Sequence, residues 1–141
     1  MEKLIAITRP VSRSIDRCEL TNLSRVPIDL ERARAQHQAY EEALKSLGVK
    51  VLALPEKPDL PDAVFVEDTA VVLDECAIIT RPGADSRKPE SESVARALAP
   101  YRSLHTIQAP GTVDGGDVLV VGKHIWVGQS TRSNQDRKSV V

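Results

Sequence analysis

Aromatic residues make up only 3% of this 141-residue sequence, so branched aliphatics must do the packing in whatever core it forms. Cysteine is scarce too. Cys18 and Cys76 are the two present, too few for a disulfide framework, and a reducing, cytoplasmic compartment is the expectation. There is no excess of charge of either sign, since 19 basic residues against 20 acidic ones leave a net charge of −1. Bulk electrostatics therefore give no reason to expect nucleic acid or a membrane surface as partner. No apolar run is long enough to span a bilayer, and Met1-Glu2-Lys3 leads directly into a strand-like segment without a signal-peptide pattern. Gly111, Gly115 and Gly116 are too few and wrongly placed for a phosphate loop. What is there, 41% hydrophobic and 28% charged residues, is ordinary for a globular protein, and the length suits a single domain over residues 1–141.

Hydrophobic patterning gives an alternation of strands, helices and hairpins. Residues 4–7 and 49–54 read as strands. Residues 29–47 form the strongest helix, with Leu30, Ala33, His37, Tyr40, Leu44 and Leu47 at three- and four-residue steps, Asp29 as N-cap and Gly48 as stop. His37 on that face reads as a hydrogen-bonded packing residue. Between the first strand and the helix, residues 11–27 are polar and lack periodicity, which predicts a functional loop or lid, with Leu20 and Leu23 as its apolar exceptions. Pro89 sits just inside a second helix over residues 89–98, with Val94, Ala97 and Leu98 as its buried stripe. Residues 104–108 read as a further short strand. The whole is an α/β pattern.

Acidic residues mark the functional region. Asp62, Glu67 and Asp68 stand just before an apolar run, Ala70-Val71-Val72-Leu73, with Asp74-Glu75 as turn and Ala77-Ile78-Ile79 as return strand. The design recurs when Asp114-Gly115-Gly116-Asp117 leads into Val118-Leu119-Val120-Val121, with Gly122-Lys123 as turn and Ile125-Trp126-Val127-Gly128 as return. An arginine follows each hairpin, Arg87 and Arg132. An acid–strand–turn–strand–arginine unit with a period of about 50 residues suggests a repeat architecture in which equivalent strand ends converge on one axis. The valine-rich strand over residues 70–73 is expected to be buried, and a carboxylate beside a buried strand must be hydrogen-bonded, paired or functional. Acids that match a guanidinium bidentately, together with arginines that match a carboxylate, suit a small molecule carrying both groups, such as arginine or a derivative. A metal is the competing guest for clustered acids, but the spacing is not that of a calcium loop and no histidine pair stands near them.

Four ordered stretches resemble one family. Phe65-Val66-Glu67-Asp68, Ile79-Thr80-Arg81-Pro82-Gly83-Ala84-Asp85-Ser86-Arg87, Asp114-Gly115-Gly116-Asp117-Val118-Leu119 and Val127-Gly128-Gln129-Ser130-Thr131-Arg132-Ser133-Asn134 are similar to the dimethylarginine dimethylaminohydrolases of the guanidino-modifying superfamily. The resemblance runs from about residue 4 to residue 134. It implies part of a pseudo-five-fold β/α propeller, the pentein fold, and a reaction without metal or organic cofactor. A cysteine thiolate attacks the guanidinium carbon, an alkylamine leaves, and water releases citrulline. By motif match, Asp68 and Asp114 grip and polarise the guanidinium, and Asp114 also orients a catalytic histidine. Asp62 and Glu67 hold other polar parts of the substrate, Phe65 lines the pocket, Leu20 is the lid leucine, and Arg87 and Arg132 bind the α-carboxylate.

The same resemblance places the nucleophile cysteine near the end of a longer chain and the histidine past its middle. Cys18, Cys76, His105 and His124 match neither position, and Asp136-Arg137 stands where a glycine opening onto a helix is usual. The expectation is the substrate-binding portion of a dimethylargininase, incomplete as a propeller and inactive alone. Its partner is a small guanidino molecule, and a homo-oligomer is left open. Two alternatives stand beside it: a deiminase- or amidinotransferase-like enzyme for another guanidino compound, and a non-catalytic guanidino-binding or interaction domain.

Overall fold

The computed structural model describes residues 4–135; the expectations for the Met1-Glu2-Lys3 lead and for the tail from Asp136 lie outside these residues. The chain divides into two compact units, Met1–Phe65 and Val66–Val141.

In the first unit, β1 (Ile5–Thr8) pairs in parallel with β2 (Lys50–Ala53), Ile5 opposite Lys50 and Thr8 opposite Ala53. Parallel neighbours need a crossover, and α1 (Leu30–Ser46) supplies it, packing on β2. Its start is set as the sequence predicts, since the Asp29 carboxylate accepts the Arg32 amide at 3.0 Å. Its end is set by Gly48, whose φ of +82° is the left-handed conformation that closes a helix without a Cβ penalty. His37 is hydrogen-bonded, 3.2 Å from Glu41, and Glu41 also accepts the Thr8 hydroxyl at 2.6 Å. The predicted apolar stripe is only partly covered, with Leu47 79% exposed.

The expected lid divides in two. Val11, Ile15 and Cys18 are buried and form the core of this unit with Ile28, Leu30, Ala33 and Val64, and a 3-10 turn spans Ile15–Arg17. Aperiodic sequence hid this packing because a 3-10 turn follows neither a period of 3.6 nor one of 2. Only residues 19–27 are uniformly exposed, Leu20 and Leu23 among them. They are tethered by Arg25, which donates to the carbonyl of Cys18 at 2.7 Å, and by the Ile28 amide, which donates to Asp16 at 2.7 Å.

In the second unit, β3 (Ala70–Val72) runs antiparallel to β4 (Cys76–Ile79), and β5 (Ser103–Thr106) lies parallel on the other side of β4. The β4-to-β5 crossover contains α2 (Ser91–Leu98), which buries Val94 and Leu98. A second hairpin, β6 (Val118–Val121) and β7 (His124–Val127), turns at Gly122. Ile78, Ile107 and Val113 make the core, packed by Val71, Leu73, Cys76 and Val118. The expectation of a buried valine-rich strand fails at β3, where Val71 is half-buried and Val72 is 51% exposed; the buried strand is its partner β4, and in β6 Leu119 and its cross-strand partner Trp126 are 59% and 52% exposed. Periodicity marks a strand as apolar; whether anything covers it is decided by packing. Among the described residues, no helix is long and apolar enough to cross a membrane.

Candidate functional site

Both acidic motifs fold as 3-10 turns at the entrance to their hairpins, Val66–Thr69 before β3 and Gly115–Asp117 before β6. The two turns pack backbone to backbone. A Cβ on Gly115 would lie 2.0 Å from the Glu67 carbonyl oxygen, so only glycine permits the approach. Gly83 plays the same part for the arginine loop, where a Cβ would lie 2.7 Å from the Cα of Arg132. Gly115→Ala is expected to destabilise the second unit by about 1–3 kcal/mol or more, because the clash is with backbone and cannot be relieved by a rotamer change. A urea-unfolding midpoint indistinguishable from that of the parent chain would contradict the backbone contact.

These contacts bring Asp68, Arg87, Asp114 and Arg132 into one cluster. Arg87 is its centre, with a side chain 3% exposed. Its Nη1 donates to Asp68 Oδ2 at 2.8 Å and lies 3.9 Å from Asp114 Oδ2. Its other edge is turned to Glu90, with Nη2 to Oε2 at 2.9 Å and Nε at 3.2 Å from both carboxylate oxygens. Burial opposes the charge on Arg87, but the hydrogen bonds from Glu90 and Asp68 outweigh it and hold the guanidinium more firmly protonated than usual. Arg132 meets the same oxygen, Nη1 at 3.4 Å from Asp114 Oδ2, and its side chain is 34% exposed.

Asp114 is buried, and its carboxyl is pushed above the ordinary carboxylate range. Burial is the main cause and the neighbouring Asp68 carboxyl the second; the Gly116 amide, donating to Oδ1 at 3.0 Å, and the Arg87 charge pull the other way. A hydroxyl network fixes the backbone beneath it. The Asp114 amide donates to Ser133 Oγ at 3.0 Å, and Ser133 and Ser130 both donate to Asp117 Oδ2, at 2.7 and 2.6 Å. Ser130 Oγ in turn accepts the Arg132 amide at 3.0 Å.

The remaining predicted residues stand as follows. Glu67 is exposed, and its carbonyl faces Gly115. Asp62, Leu20 and Phe65 belong to the first unit. There the buried Asp62 carboxylate accepts the Glu19 amide at 3.0 Å, next to Leu20, and both apolar side chains are exposed. Cys18 and Cys76 are free thiols packed with the core residues of their respective units. Sequence reasoning gave no role to Glu90, Ser130, Ser133 or Asp117. The signal for Glu90 was its position three residues after Arg87. The serines gave none, because their value lies in bonds to Asp114 and Asp117 that no periodicity marks. Among the described residues, no group of three or more histidine, cysteine, aspartate or glutamate side chains could hold a metal ion.

The sequence and the fold are similar to those of named proteins. Residues 16–140 match the family described as N,N dimethylarginine dimethylhydrolase, eukaryotic. An N(G),N(G)-dimethylarginine dimethylaminohydrolase of Pseudomonas aeruginosa is 38% identical, the match covering 96% of this chain and 54% of the relative. The enzyme of that name from Streptomyces coelicolor is 42% identical over 92% of this chain and 50% of its own length. A solved structure of the Pseudomonas aeruginosa protein, complexed with citrulline, superposes with a TM-score of 0.90 at 38% identity, covering 96% of this chain and 54% of that one. The N-terminal domain of a cyanobacterial arginine dihydrolase shares the fold, at a TM-score of 0.83 and 20% identity, over 96% of this chain and 52% of that domain. The α/β architecture is thus the pentein fold, and the chain spans about half the length of the curated relatives it matches. By sequence and by structure, the chain belongs to the N,N-dimethylarginine dimethylhydrolase family.

Proposed function

We propose that this chain carries the guanidinium-binding acids of an enzyme that hydrolyses N-methylated arginine to citrulline and methylamine or dimethylamine. The observation that carries the proposal is the charge balance of the cluster. Three carboxylates, Asp68, Glu90 and Asp114, meet two guanidinium groups, Arg87 and Arg132. Within this set the carboxylates outnumber the guanidinium groups by one, and the partly exposed Asp68 and the raised Asp114 are the acids placed to meet a cation. A planar guanidinium matches two carboxylates by paired hydrogen bonds. The citrulline bound by the Pseudomonas aeruginosa relative is the product such a reaction would give.

In this reading Asp68 and Asp114 hold the substrate guanidinium in one plane and keep it charged, which makes its carbon electrophilic. Arg132, the more exposed arginine, takes the α-carboxylate, while Arg87, matched to the same role in the sequence, is engaged by Asp68 and Glu90 and adds its positive field. Asp114 also orients the histidine that protonates the leaving amine. The nucleophile is a cysteine thiolate, and neither Cys18 nor Cys76 serves, since each packs with its unit's core. Leu20, Asp62, Phe65 and Glu67 keep their substrate-contact roles by motif match. Both units are taken as parts of one guanidino-modifying domain, and the two free thiols suit a reducing, cytoplasmic compartment.

Titrating N,N-dimethylarginine into the chain at a series of pH values tests the proposal. Without a guest, burial and Asp68 hold the Asp114 proton above its ordinary value of 3.8. A guanidinium guest favours the ionised form, so binding expels that proton. Affinity is expected to rise with pH from the ordinary value upward through the raised one, then level off. Stability of the empty chain runs the other way. The native state keeps this proton to higher pH than the unfolded state, so the contribution is full below the ordinary value and lost as pH rises through the raised one. Citrulline, with a neutral urea group, is expected to bind more weakly than dimethylarginine. Equal affinity for both, or affinity independent of pH, would overturn the guanidinium seat, and citrulline released by the pure chain would overturn the assignment of the nucleophile.

A further inference from the structure

Glu90 is 2% exposed and lies at the junction between the 3-10 turn Asp85–Glu90 and α2. A carboxylate there could cap the helix, yet its side chain makes no capping bond. It faces Arg87 instead. Burying an acid this deeply is costly unless a charged partner satisfies it, and the Nε/Nη2 edge of Arg87 does so with contacts of 2.9 and 3.2 Å.

The choice of edge matters. A guanidinium binds a carboxylate best through two parallel N–H groups on one edge. With Glu90 on the Nε/Nη2 edge, Arg87 donates to Asp68 through Nη1 at 2.8 Å and stands 3.9 Å from Asp114. Released from Glu90, the Arg87 guanidinium could present a full edge to Asp68 and Asp114 and fill the place of an external guanidinium. We propose that Glu90 is the positioning residue of the site, holding Arg87 by one edge so that the Asp68 and Asp114 carboxylates stay available to a guest. The affinity readout rests on the guanidino-binding function proposed above; the geometry of the ligand-free chain does not.

Glu90→Gln keeps the shape and removes the charge. It is expected to weaken dimethylarginine binding about tenfold, the scale of one redirected charge-assisted hydrogen bond. It is also expected to move the carbon-detected NMR titration of the Asp114 carboxyl to lower pH, because Arg87 turns toward it. Among the described residues, the charged groups recorded against Asp114 are Asp68, Arg87 and Arg132, so the shift reports on that set. Glu90→Asp, retaining the charge, is expected to restore the parent titration. A structural role alone would lower the unfolding midpoint and leave the Asp114 titration where it was, and that result overturns the proposal. If the parent chain does not bind dimethylarginine, the function proposed above fails while the titration still decides the role of Glu90. Should Glu90→Gln fail to fold, solvent exchange of the Arg87 Nε–H in the parent chain decides it. Slow exchange supports the clamp, and exchange as fast as at an exposed arginine refutes it.

Discussion

Arg87→Met is expected to cost the second unit about 3–5 kcal/mol, the penalty for removing one partner of a buried ion pair. The loss has three sources in the geometry. Glu90, 2% exposed, would lose the guanidinium that it faces. Asp68 would lose its 2.8 Å donor. Asp68 and Asp114 would face each other with Arg132, among the described residues, left to offset their repulsion. A domain of this size has only about 5–15 kcal/mol of net stability, so the variant should be close to unfolding at room temperature. Arg87→Lys should recover only part of the loss, since one ammonium cannot span Glu90 and Asp68 as a planar fork does. The double variant Arg87→Met with Glu90→Leu should be more stable than Arg87→Met alone, because the acid that faced the guanidinium is gone with it. Chemical denaturation measures all three. A loss below about 1 kcal/mol for Arg87→Met, the range of an exposed pair, would mean that the side chain is not buried among these acids in solution.

How legible this was in the sequence differs from element to element. The α1 boundaries were readable because they are local chemistry: Asp29 caps the Arg32 amide and Gly48 takes a positive φ. The hairpin turns were readable for the same reason. The second helix was displaced by two residues, since Pro89 and Glu90 fall in a 3-10 turn and α2 begins at Ser91. The repeated acid motif was visible as pattern, but its geometry was not. The packing of the two acidic turns depends on a missing Cβ at Gly115 meeting a carbonyl from a distant segment. Glu90 read as one charge in a polar run, Lys88-Pro89-Glu90-Ser91-Glu92, and its burial is a consequence of Arg87 having turned inward. The same inward turn separates the two arginines that the sequence had paired: Arg132 keeps an exposed face, while the fork of Arg87 is engaged by Glu90 and Asp68.

Asp68→Asn is expected to lower affinity for N,N-dimethylarginine by roughly 100-fold or more, the cost of removing one member of a desolvated charge pair, about 2–5 kcal/mol. Asparagine preserves the volume and the acceptor for Arg87 Nη1, so the fold should survive with a modest loss. It cannot offer negative charge to a guest. The substitution also removes the like charge beside Asp114. With that cause gone, the Asp114 carboxyl falls back toward its ordinary value, and the pH at which any residual binding sets in must fall with it. The two effects separate readings that affinity alone would leave merged. If Asp68 contributes only shape, affinity drops little and the pH dependence stays. If it contributes charge to the guest but lies apart from Asp114, affinity drops and the pH dependence stays. Only a shared seat, with both carboxyls on one guanidinium, lowers the affinity and shifts the profile together. A calorimetric pH series on parent and variant reads both quantities at once, and an unmoved profile would dismantle the two-carboxylate seat on which the proposed chemistry depends.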